Sequence, residues 1–250
     1  MQREIAHPDI RTPITEWWNG HYDHVFIALY PFFRVRSEIR DSLLNVSYDA
    51  VLRYEDRPDD FDERVKRFGE PVTWNSIHYS VAPSVPKMSF YRAVWLLSCL
   101  GFTKRADTTL QKQIEAYCDA NNIYLPEDDC LPAILHPLLN GFLQPYNGEK
   151  ILMYDEFRQY SSELDLDSLG PNAPVSKLPE GATGDGVWAI HLPESGVLVT
   201  SAFDGAEALV AMTKDAYALS DPHKFFEVEE VGDDTYCDWL NPKDFFERRV

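Results

Sequence analysis

Three apolar runs near the end of the chain, Val187–Leu192, Val197–Phe203 and Ala206–Thr213, restrict its fold more than any other feature. They are separated by Pro193-Glu194-Ser195-Gly196 and by Asp204-Gly205. Each run has strand length. Asp-Gly between apolar runs is a strong hairpin signal, because both residues tolerate positive φ. The runs predict an antiparallel meander. Trp188, Ile190 and Leu192 alternate with Val187 and Ala189, so both faces are apolar and are expected to be at least partly covered. Lys214–Ser220 predicts a short helix. Lys224–Val231 predicts an edge strand whose glutamates discourage aggregation.

The cover comes from the middle of the chain. In Lys87–Cys99, Phe90, Val94 and Leu97 recur at helical spacing, with Trp95 and Leu96 between them. This is the pattern of a helix buried on most sides. Asp107 is placed to cap a second helix, with Leu110, Ile114, Tyr117 and Cys118 on its apolar stripe and Asn121-Asn122 at its end. A third helix follows Glu127, Asp128 and Asp129, burying Leu131, Ile134, Leu135, Leu138, Leu139 and Phe142. Pro132 suits its first turn, whereas Pro137 is expected to kink or split it. Lys150–Phe157 predicts a strand.

Upstream, Val25–Tyr30 predicts a strand ended by Pro31, within an aromatic run from Trp17 to Phe33. Ser37 is placed to cap a helix through Leu44, and Val46–Tyr54 is ambiguous. Glu55–Asp62 reads as a charged turn feeding a helix that Gly69 stops after Phe68. Thr73 is expected to cap a helix from Trp74 to Tyr79. Tyr160–Glu180 has no sustained period and reads as a surface connection.

The runs GEPVTW at Gly69–Trp74, AYCDANNIYLPEDD at Ala116–Asp129 and MYDEF at Met153–Phe157 resemble domain-of-unknown-function family 2711, an uncharacterised bacterial family. The resemblance covers roughly residues Pro31 to Met212. It implies a bacterial, soluble, mixed α and β protein, and it brings no catalytic residues.

Charge is distributed unevenly. Residues 1–105 carry 14 basic and 14 acidic side chains; residues 106–250 carry 9 and 27. The whole net charge of −18 therefore lies in the C-terminal part. Such a field disfavours nucleic acid and anionic membrane and attracts a basic protein. Solubility alone is the plain alternative. Asp155, Glu156, Asp204, Asp233 and Asp234 are the candidate binding residues. No apolar run approaches the roughly 20 residues needed to span a membrane, and Met1–Pro13 lacks a secretory core, so the expected location is the cytoplasm.

The reactive residues offer little chemistry. Cys99, Cys118, Cys130 and Cys237 form no C-x-x-C pair and read as inert thiols. His21 and His24 have spacing that puts two imidazoles on one helical face, yet zinc needs three or four protein ligands. They are weak metal candidates against a structural reading. Gly181, Gly184 and Gly186 depart from the phosphate-loop spacing and precede a strand rather than a helix, so they read as a turn. No Gly-x-Ser-x-Gly or His-Glu-x-x-His occurs. No cofactor and no metal are expected.

These observations predict an α+β fold in one domain. A helical N-terminal and central part, residues 1–157, packs on the C-terminal β-meander and tail, residues 187–250, through an acidic connector at 158–186. The leading functional expectation is a non-enzymatic, immunity-type inhibitor that binds a basic protein through the acidic C-terminal part. The rival is an enzyme, small-molecule or metal-binding protein with a pocket near the aromatic run and His21/His24.

Overall fold

A computed structural model describes residues 3–35, 59–98, 107–182, 186–201 and 205–241. Among them are seven α-helices: α1 (Ile14–Trp17), α2 (Phe61–Phe68), α3 (Trp74–Val81), α4 (Lys87–Ser98), α5 (Thr108–Ala120), α6 (His136–Leu143) and α7 (Lys214–Leu219). Ten strands lie among the described residues: β1 (His24–Leu29), β2 (Phe32–Val35), β3 (Gly69–Val72), β4 (Ile123–Tyr124), β5 (Leu152–Tyr154), β6 (Ser161–Glu163), β7 (Ala189–Leu192), β8 (Val197–Ser201), β9 (Glu207–Met212) and β10 (Val228–Glu230). The expected Ser37–Leu44 helix, Val46–Tyr54, Cys99, Gly184 and Asp204 lie outside the described residues.

The main sheet runs β10-β1-β9-β8-β7-β5-β6, and every pairing is antiparallel. The predicted meander is its β7-β8-β9 centre. Strand β10 forms one edge. The N-terminal β1 does not append to the meander. It inserts between β9 and β10, with Phe26 opposite Val210 on one side and Glu230 on the other.

Both faces of the sheet are covered, and alternation decides which residue meets which cover. On one face Val25, Ile27, Leu29, Leu198, Leu209 and Ala211 join Trp74, Phe90, Val94 and Ile114 from α3, α4 and α5. On the other Phe26, Ala28, Val199, Val210 and Met212 join Leu139, Phe142 and Leu143 of α6. The result is an α+β sandwich with the sheet in its middle layer.

Local signals explain the helices. Asp107 accepts from the N–H groups of Thr109 and Leu110 at the start of α5, and Asn122 follows its end at φ +55°. Thr73 caps α3 by accepting from Ser76 N. The segment containing Pro137 is split, into a 3₁₀ turn at Ala133–Leu135 and α6.

One expectation is extended and another corrected. Strand β1 ends before Pro31, as expected, but extended structure resumes beyond it. The chain continues into β2, which forms a second sheet ordered β3-β2-β4. Pro71 is tolerated there because β3 is an edge strand. The 158–186 connector is also more than a surface loop. It supplies β6, and Leu164, Leu166, Leu169 and Leu178 are buried in the second core. Lys66, only 2% exposed, donates to the carbonyls of Ser168 (2.5 Å) and Pro174 (2.8 Å) and so holds this segment to α2. Burial lowers that amine to about 8.

Candidate functional site

A cavity of about 940 Å³ opens at the end of the main sheet where β1 begins and β9 ends. The aromatic N-terminal run builds one part of it: Trp18, Tyr22, His24 and Phe26 all line it. The turn between β7 and β8 adds Pro193 and Glu194. The chain leaving β10 adds Glu230, Val231 and Asp233. Four acidic residues therefore line one space, Asp23, Glu194, Glu230 and Asp233, together with Arg3.

Each wall has a local cause. Asp23 accepts from Lys214 N at 2.7 Å, which ties the entry of β1 to the start of α7. Thr213 donates to Ser195 O at 2.7 Å and accepts from Ala216 N at 3.3 Å, so one hydroxyl fixes both the β7–β8 turn and α7. The His24 ring lies tilted by 37° against Tyr217 with ring centroids 4.6 Å apart, and Phe26 and His223 pack edge to face at 5.4 Å. His223 in turn places Nδ1 2.9 Å from Asp221 Oδ1 and Nε2 3.2 Å from Glu230 Oε1. His223 thereby links the Glu230 carboxylate to the Phe26 ring.

The sequence candidates divide sharply. Asp233 and Asp234 are adjacent in the turn after β10, and Asp233 lines the cavity. Asp155 and Glu156 follow β5, five strand positions from β10, roughly 20–25 Å at ordinary inter-strand spacing. Asp155 is fully buried, so it offers no surface charge. One oxygen accepts from Gln159 N (2.8 Å) and Tyr160 N (3.1 Å), and the residue shapes the β5–β6 hairpin. Arg158 holds the same hairpin, donating to the carbonyls of Asp155 and Glu156.

His21 and His24 are not on one helical face. His21 lies in the turn after α1, where its Nδ1 accepts from Glu4 N at 2.9 Å; His24 opens β1. No group of three or more His, Cys, Asp or Glu among the described residues is arranged to hold a metal ion. The thiols of Cys118 and Cys130 are each pushed up to about 12, chiefly by burial. Sequence reasoning missed Arg3, Glu194 and Glu230 as lining. All three belong to segments whose neighbours are set by strand order, so proximity in the chain carries no sign of it.

A family model for DUF2711, a protein of unknown function, matches residues 10–241, in agreement with the resemblance carried by the central motifs. No curated protein and no solved structure matches the chain. No helix among the described residues is long and apolar enough to cross a membrane.

Proposed function

The chain belongs to the DUF2711 family, whose description assigns no activity, and we propose from the cavity that it is a non-catalytic recognition protein for a cationic group. The observation that carries this is the convergence of Asp23, Glu194, Glu230 and Asp233 with aromatic rings around one cavity. Carboxylates neutralise a positive charge, and aromatic faces add cation–π attraction as water leaves. A basic side chain of a partner protein is the occupant we favour, because the net charge of −18, all of it carried by residues 106–250, attracts a positively charged protein at long range. An immunity-type inhibitor of a basic protein is the form of this function that the charge asymmetry suits. A small amine is the second reading, favoured by the cavity's volume of about 940 Å³.

The test is calorimetric titration with oligolysine and oligoarginine peptides and with putrescine. The Glu230→Gln/Asp233→Asn variant should bind the peptides on the order of tenfold more weakly, since two partly exposed ion pairs are lost. Raising the salt should weaken the wild type more than the variant. Affinity for putrescine above that for the peptides would favour the small-molecule reading. Equal affinities in wild type and variant at all salt concentrations would overturn the cationic reading.

A further inference from the structure

One cation already stands in this acidic cavity, and it comes from the chain itself. The N-terminal segment 3–8 runs beside the cavity as a strap. It is held by Glu4 N–H donating to His21 Nδ1 (2.9 Å), Tyr22 O–H donating to Glu4 O (3.2 Å), Trp17 Nε1–H donating to Ala6 O (3.2 Å) and Arg158 Nε–H donating to Ile5 O (3.3 Å). From the strap Arg3 reaches into the cavity lining, where its Nη1 donates to Pro193 O at 2.7 Å.

The place it occupies is shaped for a flat cation. Gly196 ends the β7–β8 turn at φ +77°, and Arg3 lies directly against it. A Cβ added to Gly196 would stand 2.6 Å from Arg3 Cζ, 2.7 Å from its Nε and 2.6 Å from Thr213 Cγ2, so the glycine lies between the guanidinium and the Thr213 methyl. A bare glycine and an adjacent carbonyl acceptor thus form a slot for a guanidinium, and Glu194 of the same turn lines the cavity beside it. Planarity and multiple N–H donors distinguish a guanidinium from a compact ammonium in such a slot. The Arg3 charge also reaches neighbouring groups. It adds to the burial that holds His191 down at about 4.

We propose that the Pro193–Gly196 turn is a guanidinium subsite of the cavity and that Arg3 is its tethered competitor. This deepens, and rests on, the cationic reading above. An arginine side chain of a partner, or a free guanidinium compound, enters by displacing Arg3, and the strap then gives up its hold on Pro193. A ligand that must displace a resident group binds with an affinity reduced by the fraction of time the site is vacant. Removing the Arg3 fork therefore exposes the intrinsic affinity.

The experiment is calorimetric titration of wild type, Arg3→Gln and Arg3→Gln/Gly196→Ala with agmatine, putrescine and the peptide Gly-Arg-Gly. Agmatine and putrescine share a four-carbon chain and differ in one guanidinium. Arg3→Gln should bind agmatine about tenfold or more tighter than wild type, with little gain for putrescine. The added Gly196→Ala should abolish that gain. Thermal melting confirms that each variant folds, and Glu194→Gln in the Arg3→Gln background reads the same slot without touching the positive-φ glycine. A gain for Gly-Arg-Gly exceeding that for agmatine identifies a protein as the source of the guanidinium; equal gains identify a small molecule. Both support the subsite. If Arg3→Gln gains nothing while Glu230→Gln/Asp233→Asn still weakens binding, the subsite is overturned and the cationic reading stands. If no variant binds any of the probes, both fall.

Discussion

At the scale of single residues, Glu207 sits in an unusual environment for a carboxylate. It opens β9, is 2% exposed, and has one oxygen accepting from Trp239 Nε1 at 3.3 Å while the other meets no partner. Burial raises this carboxyl from 4.5 to about 7. Its folded pKa lies above its unfolded one, so the folded state binds the extra proton between the two. The contribution of Glu207 to stability should therefore fall as pH rises from about 4.5 to about 7 and stay reduced above, by on the order of 3 kcal/mol. Glu207→Gln keeps an acceptor for Trp239 and carries no charge. We expect it to raise the denaturant midpoint at pH 8 relative to wild type and to leave it almost unchanged at pH 4. Urea melts at those two values check this. An equal shift at both would remove the ionisation argument.

At the scale of elements, the contact between the sheet edge and the helices runs through Glu227, just before β10. Its carboxylate accepts from Trp74 N (2.5 Å), Asn75 N (3.0 Å) and the Tyr91 hydroxyl (2.9 Å). One side chain thus satisfies the N-terminal donors of α3 and reaches α4, while its own carbonyl accepts from Leu29 N. Burial, and then the Glu227 charge, raises the Tyr91 phenol. Glu227→Ala should cost roughly 2–3 kcal/mol, because several charge-assisted bonds are lost at once. Glu227→Gln should cost less, since its amide keeps one acceptor. Asp107→Ala, which removes only the cap of α5, should cost about 1 kcal/mol. Equilibrium unfolding of the three variants ranks them; a loss for Asp107→Ala as large as that for Glu227→Ala would contradict this division of labour.

At the scale of the whole molecule, three histidines are held neutral by their surroundings: His136 and His191 are buried, and His7 is half-buried with its Nε2 shielded from solvent. Burial is the first cause in each: it lowers His7 and His191 to about 4 and His136 to about 3, with Arg158, Arg3 and Lys66 respectively adding to it. Their folded pKa values lie below the unfolded 6.5, so the unfolded chain takes up more protons on acidification. The stability they permit is full above about 6.5 and is lost as pH falls toward 4. Three protons taken up on unfolding outweigh the one that Glu207 retains, so the net trend below pH 6 should be steep acid destabilisation. Melting temperatures from pH 7 to pH 4.5 should drop progressively; a flat profile would show that the histidines are solvated.

Much of this architecture could be read directly from the residues. The meander between Val197 and Met212, the helix capped by Asp107, the split at Pro137 and the edge strand before Val231 all follow from short-range rules of alternation, capping and imino-acid geometry. Those rules act within a few residues, so one chain suffices to apply them. What tertiary structure alone decided was placement. Strand order brought β1 between β9 and β10, and with it the aromatic run and Asp23 came to face Glu194, Glu230 and Asp233. The same order sent Asp155 into the interior on the far side of the sheet. Pairing of strands distant in sequence is chosen by how all apolar faces bury together, a collective free energy that no local window of residues contains.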